Sequence, residues 1–301
     1  MSGRTDGSEN RTGSQSRPVF GTHCLPPATI ECMNIQYRSA STLAPKGTVL
    51  LCHGYAEHSG RFLPLQDELI EAGYDIAFYD HYAHGTSPGP RSQVDVGRLI
   101  KDHLDARRIV LAHARTSDLF LFGHSMGGLV TAASLLLNPS NVNGAILTGP
   151  AFRPLPPLPA GVARLLLPLA RVFPALTAQK PRSADDPSVL SRDPRVQEAF
   201  DADPLNYTGG VPLITGATMI TQGDLVLKNA HRARTPMLIL HGNADKLASL
   251  NGSKTFVQNA LASHPDADIH LRIIDGAYHE VLNEPEGPGL IKDIVAWLDR
   301  H

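Results

Sequence analysis

A chain of 301 residues, 42% of them hydrophobic, can bury the core of a three-layer α/β domain that carries an insertion. Lys and Arg number 27 against 29 Asp and Glu; a formal charge of −2 with no basic cluster excludes nucleic acid as an electrostatic partner. The 3 cysteines, Cys24, Cys32 and Cys52, form no dense framework and no zinc-like spacing with histidine. A cytoplasmic protein with reduced thiols, no metal and no cofactor is therefore expected, although a pairing of Cys24 with Cys32 across early strands stays open.

Residues 1–17 are rich in Gly, Ser, Thr and Arg and lack the apolar stretch of a secretory signal, which predicts a disordered polar tail. Residues 18–150 read as the first part of the core. Strands are expected at 29–37 and 48–52, a helix at 63–72 and a strand at 75–79. A run at helical spacing over 94–113 follows, then a strand at 119–122, a helix at 129–137 and a strand at 144–147. Two further strands, 237–240 and 269–274, fall in the second part of the core, 235–301. Such alternation predicts an α/β fold with a mostly parallel central sheet flanked by helices. No apolar run approaches the ~20 residues of a membrane span.

The alternation breaks over 151–234, which is expected to form a mainly helical cap over the site. It opens with Phe152-Arg153-Pro154-Leu155-Pro156-Pro157-Leu158-Pro159, where proline forbids helix. Residues 161–173 are then apolar nearly all round, with Arg164 and Arg171 two turns apart. A helix packed on one face only should be more polar on the other. The excess points to an exposed surface for acyl chains or for peripheral membrane contact; burial by the rest of the cap or by a second copy is the other reading. Pro168 is expected to kink this helix.

The chemistry is carried by Gly123-His124-Ser125-Met126-Gly127, which stands between a buried strand and a helix. That is the order of a nucleophile elbow, in which glycines leave room for a strained serine. Downstream, Asp245 lies in the loop after strand 237–240 and His279 in the loop after strand 269–274. Both therefore sit at C-terminal strand ends, where open α/β sheets place their sites, and in the chain order serine, acid, histidine. Ser125 is expected as nucleophile, His279 as general base and Asp245 as the group that orients the imidazole. His241 is the rival base and Asp275 the rival acid. His241 lies on the same loop as Asp245, and Asp275 on the strand that carries His279. The strand at 48–52 ends in His53-Gly54-Tyr55, where a sharp turn can aim a backbone N–H at the serine. The expected oxyanion donors are the amides of Tyr55 and Met126.

Three stretches resemble the monoacylglycerol lipase family of serine α/β-hydrolases. They are His53-Gly54-Tyr55-Ala56-Glu57-His58-Ser59-Gly60-Arg61-Phe62, Gly123-His124-Ser125-Met126-Gly127-Gly128 and Gly276-Ala277-Tyr278-His279-Glu280. The loop Asp80-His81-Tyr82-Ala83-His84-Gly85-Thr86-Ser87 and the segments Ser191-Arg192-Asp193 and Asp203-Pro204-Leu205 are similar to the same family. The resemblance implies the α/β-hydrolase fold, no cofactor, and hydrolysis of a single acyl chain from glycerol. It also implies that Glu57 and Arg61 organise the polar end of the site, although an ion pair that merely holds the loop fits them equally. Phe200 stands where that family often carries a tyrosine in the cap, which removes a polar contact. A lysophospholipase or a carboxylesterase for other bulky monoesters, aromatic ones included, needs the same triad. A non-catalytic protein using the pocket to bind a ligand is the alternative of a different class, and an intact Ser, Asp and His argue against it.

Overall fold

The computed structural model describes residues 33–181, 183 and 186–301. The polar tail, Cys24, Cys32 and the start of the predicted 29–37 strand lie outside these residues. Along the described chain run β1 (Gln36–Arg38), β2 (Gly47–Cys52), α1 (Leu63–Glu71), β3 (Tyr74–Phe78), α2 (Val96–His113), β4 (Leu119–His124), α3 (Met126–Leu137) and β5 (Gly144–Thr148). There follow α4 (Ala160–Val172), β6 (Thr177–Gln179), α5 (Pro194–Ala202), β7 (Val211–Pro212), α6 (Leu213–Asn229), β8 (Met237–Gly242), α7 (Leu250–Ser263), β9 (Ile269–Ile274) and α8 (Gly287–Leu298).

Among the described residues seven strands form one sheet in the order β1-β3-β2-β4-β5-β8-β9, parallel throughout except for the antiparallel edge strand β1. Continuous apolar strands are what a sheet covered on both faces requires. In β2, Leu50 and Cys52 point into a core shared with α2, α3 and α7, while Val49 and Leu51 point into one shared with α1 and α8. The period of two thus divides a single strand between two cores.

From β2 the chain crosses to β3 on one side and from β3 to β4 on the other side of β2, so the order reverses between β2 and β4. Such a switch point opens a crevice at the C-terminal strand ends. Cys52 pairs in register with Gly123, and this brings the His53-Gly54 turn alongside the turn at Ser125. Helix α3, buried from Met126 to Leu136, starts at that crevice. Its far end is fixed by Arg107, whose guanidinium donates to the carbonyls of Ser134 at 3.0 Å and Asn138 at 2.7 Å.

Among the described residues of 151–234 none adds a strand to the central sheet; β6 and β7 pair with each other. The proline-rich start is non-helical, as its sequence requires. Pro168, the expected site of a kink, lies inside α4, which continues on both sides of it. Pro168 and Arg164 both lie on the exposed side, where water can serve the carbonyl left without an N–H partner. Ala163 and Ala170, seven residues apart, are the buried positions of α4 and lie against α6. Helix α6 is itself anchored to the core: Thr215 Oγ1 accepts the Val94 N–H at 2.9 Å and Thr218 Oγ1 that of Val96 at 3.1 Å. Val162, Leu165, Leu169 and Val172 share the remaining face of α4 and are exposed. Among the described residues no helix is long and apolar enough to cross a membrane.

Candidate active site

Ser125 sits at φ 53°, ψ −117°, between the end of β4 and the first turn of α3. A side chain in that region is strained and persists only where its surroundings dictate it. The turn is clamped by Ser125 N–H donating to the Thr148 carbonyl and by Ala151 N–H donating to the Ser125 carbonyl, both at 2.9 Å. Gly127 is required by contact: a Cβ there would lie 2.2 Å from the Cys52 carbonyl oxygen and 2.3 Å from that of His53. At Gly54 a Cβ would come 2.7 Å from Glu57 Oε1 and 3.1 Å from Ser125 Cβ. Glycine on both turns lets the two backbones close on the serine.

The structure brings the three residues of the expected triad together. Ser125 Oγ–H donates to His279 Nε2 at 2.8 Å, and His279 Nδ1–H donates to Asp245 Oδ2 at 2.7 Å. The Asp245 side chain is fully buried, and its Oδ1 accepts the N–H groups of Leu247 at 2.7 Å and Ala248 at 2.9 Å. Burial alone would raise its pKa, but His279 and His241 hold the carboxyl well below the usual range. Burial likewise opposes charge on His279. The Asp245 charge and hydrogen bond, with Glu280 and Glu57 beyond, outweigh it and raise the imidazole above the ordinary 6.5. The rival residues take other parts: His241 stands beside the acid, its Nε2 3.2 Å from Asp245 Oδ2. His241 Nδ1 meets Ser253 Oγ at 2.8 Å and its Nε2 lies 3.1 Å from the Ala248 carbonyl, bracing the Asp245 loop. Asp275 is engaged by the Asn243 amide on the exposed side.

The rise in His279 predicts the pH dependence. A general base must be neutral, so kcat/KM on a soluble ester should rise with pH through a midpoint above 6.5 and then level. Stopped-flow or pH-stat rates between pH 5 and 9 check it; a midpoint well below the ordinary histidine value contradicts the assignment.

The turn after β2 fixes a peptide plane. The His81 N–H donates to His53 Nε2 at 2.9 Å, so His53 Nδ1 carries the proton and donates to the Gly54 carbonyl at 2.8 Å. A trans peptide holds C=O and N–H antiparallel, so the Tyr55 N–H faces away from His53. The Met126 N–H belongs to the first turn of α3 and has no acceptor within the helix. Next to them lies a buried ionic cluster. Glu57 Oε1 accepts the Gly54 N–H at 2.6 Å and its Oε2 accepts Arg61 Nη1 at 2.7 Å. Arg61 also grips Glu280 through two bonds of 2.6 and 2.9 Å. With one guanidinium for two carboxylates, burial pushes Glu57 up, while Arg61 overcomes burial at Glu280 and holds it down. The Phe200 ring covers Arg61 at 4.8 Å, a cation–π contact in place of any polar one. Burial and the neighbouring His279 push His124 down to about 3, so this ring, 4.9 Å from that of His279, stays neutral.

Ser125, Glu57 and Phe200 open onto a cavity of about 770 Å³, with Leu155, Leu158, Leu166, Leu213, Met219 and Ile220 among its apolar walls. Glu280 follows His279 directly, yet the sequence alone assigns it no role. Its partner Arg61 is 219 positions away, so only the neighbourhood of His279 could have drawn attention to it.

The family described as serine aminopeptidase, S33, matches residues 44–286. A monoacylglycerol lipase of Mycolicibacterium smegmatis is 32% identical over 258 residues, covering 85% of this chain and 89% of that protein. The chain belongs to the monoacylglycerol lipase family of serine α/β-hydrolases. A monoglyceride lipase of Rattus norvegicus is 29% identical over 261 residues, with 85% of this chain and 84% of that one covered. The crystal structure of the monoacylglycerol lipase of Paleococcus ferrophilus superposes with a TM-score of 0.76 at 30% identity, over 89% of this chain and all (100%) of that one. The family resemblance read from the three motif stretches holds, and so does the expected fold. The chain is a hydrolase.

Proposed function

We propose that this hydrolase cleaves carboxylic esters of a single acyl chain, with monoacylglycerol as its substrate, through an acyl-enzyme on Ser125. The observation that carries the reading is the continuous Ser125–His279–Asp245 relay, with bonds of 2.8 and 2.7 Å, at the wall of a largely apolar cavity. His279 Nε2 takes the Ser125 proton as Oγ attacks the ester carbonyl carbon. The oxyanion is received by the amides of Tyr55 and Met126; removal of one such donor costs about 3–4 kcal/mol. Collapse expels the alcohol, which takes its proton from His279. Water, deprotonated by the same imidazole, then releases the fatty acid. Glu57, on the cavity wall beside the serine, faces the polar head of the ester, with Arg61 and Phe200 holding it in place. An aminopeptidase reading of the family description finds less support, because Glu57 is already engaged by Arg61 and the Gly54 amide rather than free to take a substrate amine.

Residues 151–234 act in this reading as the cap that encloses the acyl chain. The stripe Val162, Leu165, Leu169 and Val172 on α4 supports peripheral contact with a lipid surface, since Leu165 is 81% and Val172 68% exposed. Replacing both with glutamate should lower partition onto phosphatidylcholine vesicles by about tenfold or more, given ~1.5–3 kcal/mol for each large apolar side chain buried. Turnover of a short soluble ester should be unchanged. Equal sedimentation of variant and wild type with vesicles would exclude this contact.

Fatty-acid release from 1-monoacylglycerol, set against a lysophospholipid and an aromatic monoester, tests the substrate. The highest kcat/KM is expected on monoacylglycerol. A higher value on either competitor overturns the substrate, and no turnover even of a short nitrophenyl ester overturns ester hydrolysis.

A further inference from the structure

The loop that carries His279 is held on both sides by groups to which the reaction scheme gives no task. One residue before His279, the Tyr278 N–H donates to Glu284 Oε1 at 2.6 Å. One residue after it, the Glu280 N–H donates to the Leu190 carbonyl at 2.7 Å. The Glu284 side chain is fully buried, and its remaining bonds come from the segment between β6 and α5. Arg192 supplies its Nε–H at 2.9 Å and its backbone N–H at 3.2 Å to Glu284 Oε2. The Ser191 hydroxyl is shared between that oxygen at 3.2 Å and the Asn283 carbonyl at 3.0 Å. Arg192 also pairs with Glu286. Both tethers of His279 therefore end on residues 190–192.

The same segment runs on into the cap. The Asp193 carboxylate accepts the Arg195 N–H at 3.0 Å and starts α5, which lays Phe200 over Arg61. Arg61 returns to Glu280, beside His279. The result is a closed circuit: Arg192 to Glu284, along the His279 loop to Glu280, across to Arg61 and Phe200, and back down α5. A buried carboxylate that accepts a guanidinium N–H and several amides is a stiff junction, because charge-assisted bonds are the strong ones. The relay needs such stiffness, since His279 must meet Ser125 and Asp245 at once. A displacement of ~1 Å in such a constellation costs about 100-fold.

We propose that Arg192 and Glu284 are positioning residues that set the reach of His279 between Ser125 and Asp245, so that proton transfer depends on how residues 190–202 are seated. This rests on the catalytic reading above. Arg192 is one-third exposed, so Arg192→Met removes the guanidinium without opening the core. In the full chain, Arg192→Met should lower kcat on a short soluble ester by about tenfold and leave KM within about twofold, as expected of a loop displaced by less than 1 Å. The low-pH limb of kcat/KM should move to lower pH, because a loosened imidazole loses part of the Asp245 charge. Arg192→Lys, which keeps a cation beside Glu284, should recover part of kcat. Glu284→Gln should show the same split; if that variant does not fold, Arg192→Met alone decides. Wild-type kcat and an unmoved limb in Arg192→Met, whether or not its melting temperature falls, would overturn the proposal. The rate at which a fluorophosphonate labels Ser125 separates the two readings. Slowed labelling in Arg192→Met supports positioning and wild-type labelling overturns it. A wild-type protein that takes no label overturns the catalytic scheme, and this proposal with it.

Discussion

Ser125→Ala is expected to abolish ester turnover, with kcat falling by about 10⁶, the loss typical of removing the nucleophile from a triad that works as a unit. The fold should survive. Alanine keeps the Cβ and therefore the same strain at φ 53°, and the elbow is held by backbone bonds to Thr148 and Ala151 that the hydroxyl does not make. The melting temperature should accordingly stay near that of the wild type. Ser125→Gly should be equally inactive yet more stable by about 1–2 kcal/mol, because glycine visits positive φ without the Cβ penalty. Thermal melts alongside single-turnover assays check both halves. An active Ser125→Ala enzyme would place the nucleophile elsewhere.

The second large effect belongs to Asp245→Asn, and the surrounding amides dictate it. Oδ1 accepts two backbone N–H groups, from Leu247 and Ala248. An asparagine must keep its oxygen there, which puts its NH2 at the Oδ2 position, 2.7 Å from His279 Nδ1. Nδ1 then has to accept, the ring proton moves to Nε2, and His279 can no longer take the Ser125 proton. The expected loss in kcat is about 10⁴, as in triads where the same change imposes the wrong tautomer. The acid limb of the residual activity should also shift downward, because the charge that lifts His279 is gone. Loss of less than about tenfold would mean that another group orients the imidazole.

What could be read from the sequence follows from which forces leave a periodic trace. Burial leaves one. The apolar runs at 48–52, 119–122, 144–147 and 237–240 mark strands because each must fill cores on two faces, and the site loops sit at their ends. The elbow was legible because its glycines are forced by contact, as Gly127 shows against the carbonyls of Cys52 and His53. Ion pairing between distant positions leaves no such trace. Arg61 with Glu280, and Arg192 with Glu284, are polar residues outside the periodic strands and long helices, and nothing in their spacing announces that they meet. Residues 151–234 were legible only as a break in the alternation. The stripe on α4 was foreseen as excess apolarity, whereas the two hydroxyl contacts that fasten α6 to the start of α2 were not. Threonines inside a helix give no sign that their partners are amides more than a hundred residues away.

The account stands or falls on the identity of the attacking atom. The most direct measurement is to incubate the folded protein with a fluorophosphonate, digest it and locate the adduct by mass spectrometry. The expected result is a single phosphonylated peptide modified at Ser125, formed at a rate that falls below the His279 midpoint and absent in Ser125→Ala. A folded wild-type protein that stays unmodified, or carries the adduct on another serine, would contradict the account.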